Sequence, residues 1–226
     1  MVSRKYTSLP FKEYTVAEEH FDTSRVYPIN KIILHSSAST RQGLINTFGG
    51  GTRMVSAHYG IDNDGSILAF LEEYNTAYHS GNYTVNQDSI GIEHIDDGAT
   101  VQKHTNEQYD TSIKLVADIC KFYSIPCDLE HIKPHSAIVS TACPNGLNVS
   151  RIIDGARILL QTSTTPTPPT SSVPDATSEL TRCSTELESV KKDLANQLGK
   201  LAQIKSIIYG KSFWWVRWNQ IKSLLL

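Results

Sequence analysis

Along the first 160 positions, apolar residues fall into short runs of strand length and two longer stretches of helical period. Ile32–Leu34 and Ser89–Ile95 are compact apolar runs. Ala57–Ile61 and Ser66–Phe70 flank Asn63-Asp64-Gly65, a turn signal that predicts a hairpin between them. A helix is expected from about Asn106 to Tyr123, capped by Thr105, with Ile113, Val116, Ala117 and Cys120 along one face. Asn148 is positioned to cap another from Val149 to Leu160. Strands interleaved with helices of this length read as an α/β domain.

The pattern changes after residue 160. QTSTTPTPPTSSVPDAT sets prolines among Ser and Thr, a composition that forms a solvated, partly extended linker and no core. Beyond it Leu180, Leu187, Leu194, Leu201 and Ile208 recur every seven residues, and Cys183, Val190, Gln197 and Ile204 fill the alternate seam. This is the heptad repeat of a coiled coil, with a helix folded back on the first domain as the other reading. Glu186 and Lys191 fall at g and the following e, where they attract in a parallel pair. The last segment, SFWWVRWNQIKSLLL, if helical, aligns Trp214, Trp218, Ile221 and Leu225. Such a stripe suits either an envelope or membrane surface or self-association. The organisation expected is a domain over 1–160, a linker over 161–177, an oligomerisation helix over 178–209 and a Trp-rich basic segment over 210–226.

Net charge over all 226 residues is −2, but residues 1–160 carry −5 and residues 161–226 carry +3. The small net charge argues against a nucleic-acid partner, although the balance between the two parts is uneven. The four cysteines, at 120, 127, 143 and 183, have no CxxC spacing, and a disulfide framework is not expected. The N-terminus lacks the apolar stretch of a secretory signal, and no run reaches the length of a membrane span.

Candidate chemistry lies in the first domain. His35 follows the apolar residues of KIILHSS, His135 opens HSAIVSTACP, and Cys143 is the residue before its final proline. Two imidazoles and a thiolate can hold zinc and leave a fourth position open. Taken singly, each has a bland reading as a bonded His or a buried thiol. Glu93 ends the run SIGIE, and strand alternation sends His94 to the opposite face. His131 and His135 have a helical spacing, but Pro134 between them restricts Lys133 away from helical geometry. His20 and His104 read as surface residues.

The fragments VSAHYGIDNDG, AYHSG, SIGIE and TACP, in that order and spacing, resemble the zinc-dependent N-acetylmuramoyl-L-alanine amidases, a family that includes phage endolysins, muropeptide-recycling amidases and peptidoglycan recognition proteins. The resemblance runs from about Val26 to about Leu160. It implies a mixed central sheet flanked by helices, with His35, His135 and Cys143 as zinc ligands. It further implies Glu93 as general base and Thr141 as support for the developing oxyanion, and it places His58 and His79 near the cleft, as substrate contacts or in a purely structural role. Ala57 departs from the pattern, because phage lysozyme-type members carry a catalytic Tyr there. Glu93 is the feature of the recycling branch that compensates.

The activity so implied is hydrolysis of the bond between the muramic acid lactyl group and L-alanine in peptidoglycan. An endolysin would be held in the host cytoplasm until holin-mediated release to the wall, its tail forming a homo-oligomer or touching the envelope. The alternatives are a recognition module without activity and a cytosolic recycling amidase.

Overall fold

The run KIILHS forms β3 (Lys31–Ser36), whose four inner residues are buried, as befits a central strand covered on both faces. SIGIEH forms β7 (Ser89–His94). The two pair in parallel, from Lys31 opposite Ser89 to Ser36 opposite His94. β4 (Tyr59–Ile61) joins β7 in parallel on its far side, and β5 (Ile67–Ala69) returns antiparallel from β4. In the turn between them Gly65 N donates to Asp62 O, and Gly65 adopts φ +81°. A Cβ there would also lie 2.9 Å from Glu107 O and from Thr111 Oγ1, so the position requires glycine.

β8 (Ile132–Pro134) adds in parallel to β3, and β1 (Lys12–Glu13) in parallel to β5. The mixed six-stranded sheet therefore runs β1-β5-β4-β7-β3-β8. β2 (Phe21–Asp22) and β6 (Thr76–Ala77) form a separate antiparallel pair.

The helices divide between the two faces. α3 (Asn106–Tyr123) begins where Thr105 Oγ1 accepts from Gln108 N at 3.1 Å and ends on Ser124 at φ 56°. α4 (Val149–Ser163) begins where Asn148 Oδ1 accepts from Arg151 N at 2.9 Å. Both pack on the face carrying Ile32, Leu34, Tyr59, Ile61, Ile90 and Ile92. The buried face of α3 is centred on Leu115, Val116, Ile119 and Cys120. Ile113, expected on that face, packs partly buried against the same core at Gly155 of α4, where an added Cβ would lie 2.6 Å from its Cδ1.

α1 (Arg41–Phe48) covers Leu68 and Phe70 on the opposite face with Leu44 and Phe48. α2 (Tyr83–Asp88) is a single short helix leading into β7. Neither α1 nor α2 was expected from the apolar pattern. His20, expected at the surface, is 1% exposed in the turn before β2.

The structure, a computed structural model, describes residues 4–98 and 104–163. In a second compact unit, Thr167–Leu226, it describes the helical residues 188, 191, 192, 195, 196, 198–200, 202 and 203. Residues 161–163, expected to begin the linker, belong to α4. The rest of that linker, the seam positions from Leu180 to Ile208 and the Trp-rich segment lie outside the described residues. Among the described residues no helix is long and apolar enough to cross a membrane.

The core and the cap differ in what their loss costs. Leu115→Ala, at a fully buried position, is expected to destabilise the domain by about 2–5 kcal/mol. Thr105→Ala should cost about 1 kcal/mol, the usual value of an N-cap. Urea denaturation followed by circular dichroism checks both, and equal costs would contradict this placement of the core.

Candidate metal centre

Parallel pairing gathers the site at the carboxyl ends of adjacent strands, where α/β sheets commonly place their ligands. His35 is the penultimate residue of β3, and its register partner on β7 is Glu93. Paired residues of neighbouring strands share a face, so Glu93 lies on the His35 side of the sheet. On the other flank of β3, β8 ends at Pro134 opposite Leu34, and His135 begins the 3-10 turn that follows. The loop after that turn folds back so that Ser136 N donates to Cys143 O at 2.9 Å, which brings Cys143 beside His35.

Donor atoms of His35, His135 and Cys143, one from each, lie within 4.8 Å of one another. Cys143 Sγ is 3.8 Å from His35 Nδ1. Zinc bond lengths to nitrogen and sulfur with a tetrahedral angle would separate such a pair by about 3.6 Å. The outer ring nitrogens are already engaged. His135 Nε2 donates to Ser80 O at 3.0 Å, and His35 Nε2 meets His79 Nδ1 at 3.1 Å. That leaves Nδ1 of each ring toward the cluster.

Charge in this pocket is poorly solvated. Burial, reinforced by His79, His135 and His94, holds His35 well below the ordinary imidazole range, and burial likewise lowers His135. Both are neutral lone-pair donors. Burial also pushes the Cys143 thiol up to about 12; Ser36 N, which donates to Sγ at 3.3 Å, opposes the rise, and Glu93 and Asp96 add to it. Only a cation would bring that thiol to thiolate at neutral pH. The donor set therefore fits a zinc ion.

Glu93 is the other uncompensated group. Its Oε2 is buried with no hydrogen-bond partner among the described residues. Desolvation, with Asp96 adding, raises its pKa to about 8. Asp96 is held otherwise, accepting from Ser36 Oγ at 2.5 Å, Ala38 N at 3.0 Å and Ser39 N at 2.9 Å. It thereby fixes the loop after His35, where Ala38 adopts φ 49°. Thr141 is exposed, and its Oγ1 accepts from Cys143 N at 3.2 Å, which leaves its hydroxyl hydrogen to donate elsewhere.

Of the two roles open to His58 and His79, their surroundings are those of the structural one. His58 is fully buried: its Nδ1 accepts from Gly91 N at 3.0 Å and its Nε2 lies 3.2 Å from Asn75 O. His79 is 9% exposed with both ring nitrogens bonded inside the protein. Neither has an atom left for a substrate, so their proximity to the cleft is that of supports beneath it. Ala57 is fully buried in the cluster around Phe48 and Phe70.

His94 faces away as expected, its Nδ1 bonded to His35 O at 2.8 Å. His131 pairs with Asp128 and is not among the clustered ligands. Ser80, which orients His135 through a main-chain oxygen, carries no signal in its residue type. A cavity of about 750 Å³ lined by Tyr27, Tyr74 and Phe122 includes none of the ligand residues.

The family model described as N-acetylmuramoyl-L-alanine amidase matches residues 25–146, more than half of the chain. Among solved structures, the PlyG catalytic domain superposes with a TM-score of 0.55 at 17% identity, covering 70% of this chain and 100% of that one. AmpD superposes with a TM-score of 0.54 at 18% identity, over 65% of this chain and 99% of that one. The N-acetylmuramoyl-L-alanine amidase LysC from Clostridium intestinale gives 0.51 at 20% identity, over 66% and 99%. At these identities the likeness is one of fold. No curated protein sequence matches the chain.

The raised Glu93 carboxyl makes a stability prediction for the metal-free chain. Folded, it holds a proton up to about pH 8 that the unfolded chain releases near its ordinary value of 4.5. The native state thus binds more protons across that window, and stability falls as pH rises from about 5 to about 8, then levels. Glu93→Gln removes this term. Its stability relative to the wild type, measured by urea denaturation with a chelator present, should therefore improve steadily with pH. A difference independent of pH would show that the carboxyl titrates normally.

Proposed function

The chain belongs to the N-acetylmuramoyl-L-alanine amidase family, and from that premise we propose that it is a zinc-dependent peptidoglycan hydrolase of endolysin type. The bond cut is the amide between the lactyl group of N-acetylmuramic acid and L-alanine. One observation carries the reading: the donor atoms of His35, His135 and Cys143 converge within 4.8 Å, beside a buried Glu93 carboxyl oxygen that has no partner among the described residues.

When bound, zinc lowers the pKa of water toward neutrality and polarises the scissile carbonyl. The protein's own groups do the rest. Glu93, buried on the His35 side of the sheet, takes the proton of the attacking water and later delivers it to the leaving amine. The free hydroxyl hydrogen of Thr141 donates to the carbonyl oxygen as negative charge develops there. Ser36 N and the fixed loop behind it hold Cys143 in place.

A peptidoglycan-binding module without activity would need neither an unpartnered buried carboxylate nor a thiol in the ligand set. The heptad tail would raise the avidity of several catalytic units for a polymeric substrate, and its terminal Trp-rich segment would touch the envelope or its own copies. A cytosolic recycling enzyme acting on small soluble muropeptides needs neither feature. Storage in the host cytoplasm before holin-mediated release belongs to the same endolysin reading.

Purified sacculi incubated with the chain should release new L-alanine amino termini, lose that release with a chelator, and regain it with zinc. Glu93→Gln should lower the rate by about 10²–10⁴-fold with zinc content unchanged, and Cys143→Ser should lower zinc content. Binding to sacculi without release would overturn the enzymatic reading. Turnover confined to soluble muropeptides would favour the recycling one.

A further inference from the structure

Ser89, Gly91 and Glu93 occupy alternate positions of β7 and therefore one face. Only Glu93 is used in the reaction above. The other two meet His79. A Cβ added to Gly91 would lie 2.6 Å from His79 Cγ, so the bare main chain at 91 is what admits the ring. Ser89 Oγ lies 3.2 Å from His79 Nε2 and donates its own hydrogen to Val85 O. His79 Nδ1 lies 3.1 Å from His35 Nε2, with the two rings edge to face.

These contacts assign every proton. A hydroxyl has one hydrogen, and that of Ser89 is given to the Val85 carbonyl. Ser89 Oγ must therefore accept from His79, which puts the hydrogen of the neutral His79 ring on Nε2 and leaves Nδ1 as an acceptor. His35 must in turn carry its hydrogen on Nε2, and its lone pair lies on Nδ1, the atom 3.8 Å from Cys143 Sγ. The next residue does the same for the second imidazole, since Ser80 O accepts from His135 Nε2. Asn86 Oδ1 pins both, accepting from His79 N and Ser80 N at 3.3 and 2.9 Å.

We propose that His79 is a positioning residue of the metal site, which fixes the tautomer and ring orientation of His35 through the chain Val85 O, Ser89, His79, His35. It touches neither substrate nor metal. The proposal rests on the reading of His35 as a metal ligand. Outer partners of ligating histidines contribute about 10–100-fold to metal affinity.

The test compares His79→Asn with His79→Leu in the full chain. Asn places Oδ1 where His79 Nδ1 stands and so can still accept from His35, whereas Leu fills the space without an acceptor. Zinc affinity, read by competition with a chromophoric chelator, is expected within about threefold of wild type for His79→Asn and about 10–100-fold weaker for His79→Leu. A ring needed only for packing gives the reverse order.

Nitrogen NMR of the metal-free wild type is expected to find the His35 hydrogen on Nε2. This measurement needs no variant to fold, and finding the hydrogen on Nδ1 would overturn the proposal. Zinc binding by the wild type with equal binding by His79→Leu overturns it alone. A wild type that takes no zinc overturns the metal reading and this proposal together.

Discussion

Parallel pairing of β3 with β7, in the register that sets His35 opposite Glu93, is the constraint on which the site depends. Strand side chains alternate, so the same register that unites His35 with Glu93, Gly91 and Ser89 sends Ile32, Leu34, Ile90 and Ile92 to the other face. There they are fully buried with α3 and α4. A slip of one residue would turn Glu93 into that core and the isoleucines out of it, exchanging apolar burial for an unpaired carboxylate. Core packing therefore enforces the register that sets His35 beside Glu93. β8 extends the logic to His135, because a third parallel strand on β3 delivers the following turn to the same end of the sheet.

Burial imposes one electrostatic rule on every group gathered there. His35 and His135 are held neutral, the Cys143 thiol is raised to about 12 and Glu93 to about 8, each chiefly by desolvation. Neutral imidazoles and a thiol that must lose its proton are what a dication binds, so metal affinity and proton release are linked at this site. Hydrogen bonds oriented in advance lessen the remaining cost. Ser36 N points at the sulfur, Ser80 O takes the far nitrogen of His135, and His79 takes that of His35.

What could be read from the sequence was local. The hairpin at Asn63-Asp64-Gly65 and the caps at Thr105 and Asn148 follow from neighbouring residues, and each forms where expected. α1 escaped because it buries only Leu44 and Phe48, and α2 because the residues it buries are polar, Asn86 and Gln87. Neither presents an apolar stripe. His20 follows two glutamates and looks exposed, yet the chain folds over it, with Ser56 Oγ bonded to its carbonyl. The metal candidates were legible as residue types, but their convergence depends on strand order, which no local pattern encodes. His58 and His79 were legible as neighbours of the cleft. Whether a loop histidine faces the cleft or lies beneath it is decided by what opposes it, and here that is Gly91, whose N–H meets one ring while its missing side chain admits the other.

The distribution of these contacts also bears on how the fold persists at 17–20% identity to solved amidases. Several of the bonds that orient the site come from main-chain atoms: Ser80 O to His135, Ser36 N to Cys143, His35 O to His94. Main-chain groups are present whatever the residue type, so such positions constrain the path of the chain more than its sequence. Residue type is constrained where a side chain is itself the contact, as at His79 and Ser89, or where it must be absent, as at Gly91. A fold of this kind can therefore vary over most of its length while the few alternating positions of one strand, and the loop that packs on them, bear the chemical requirements of the site.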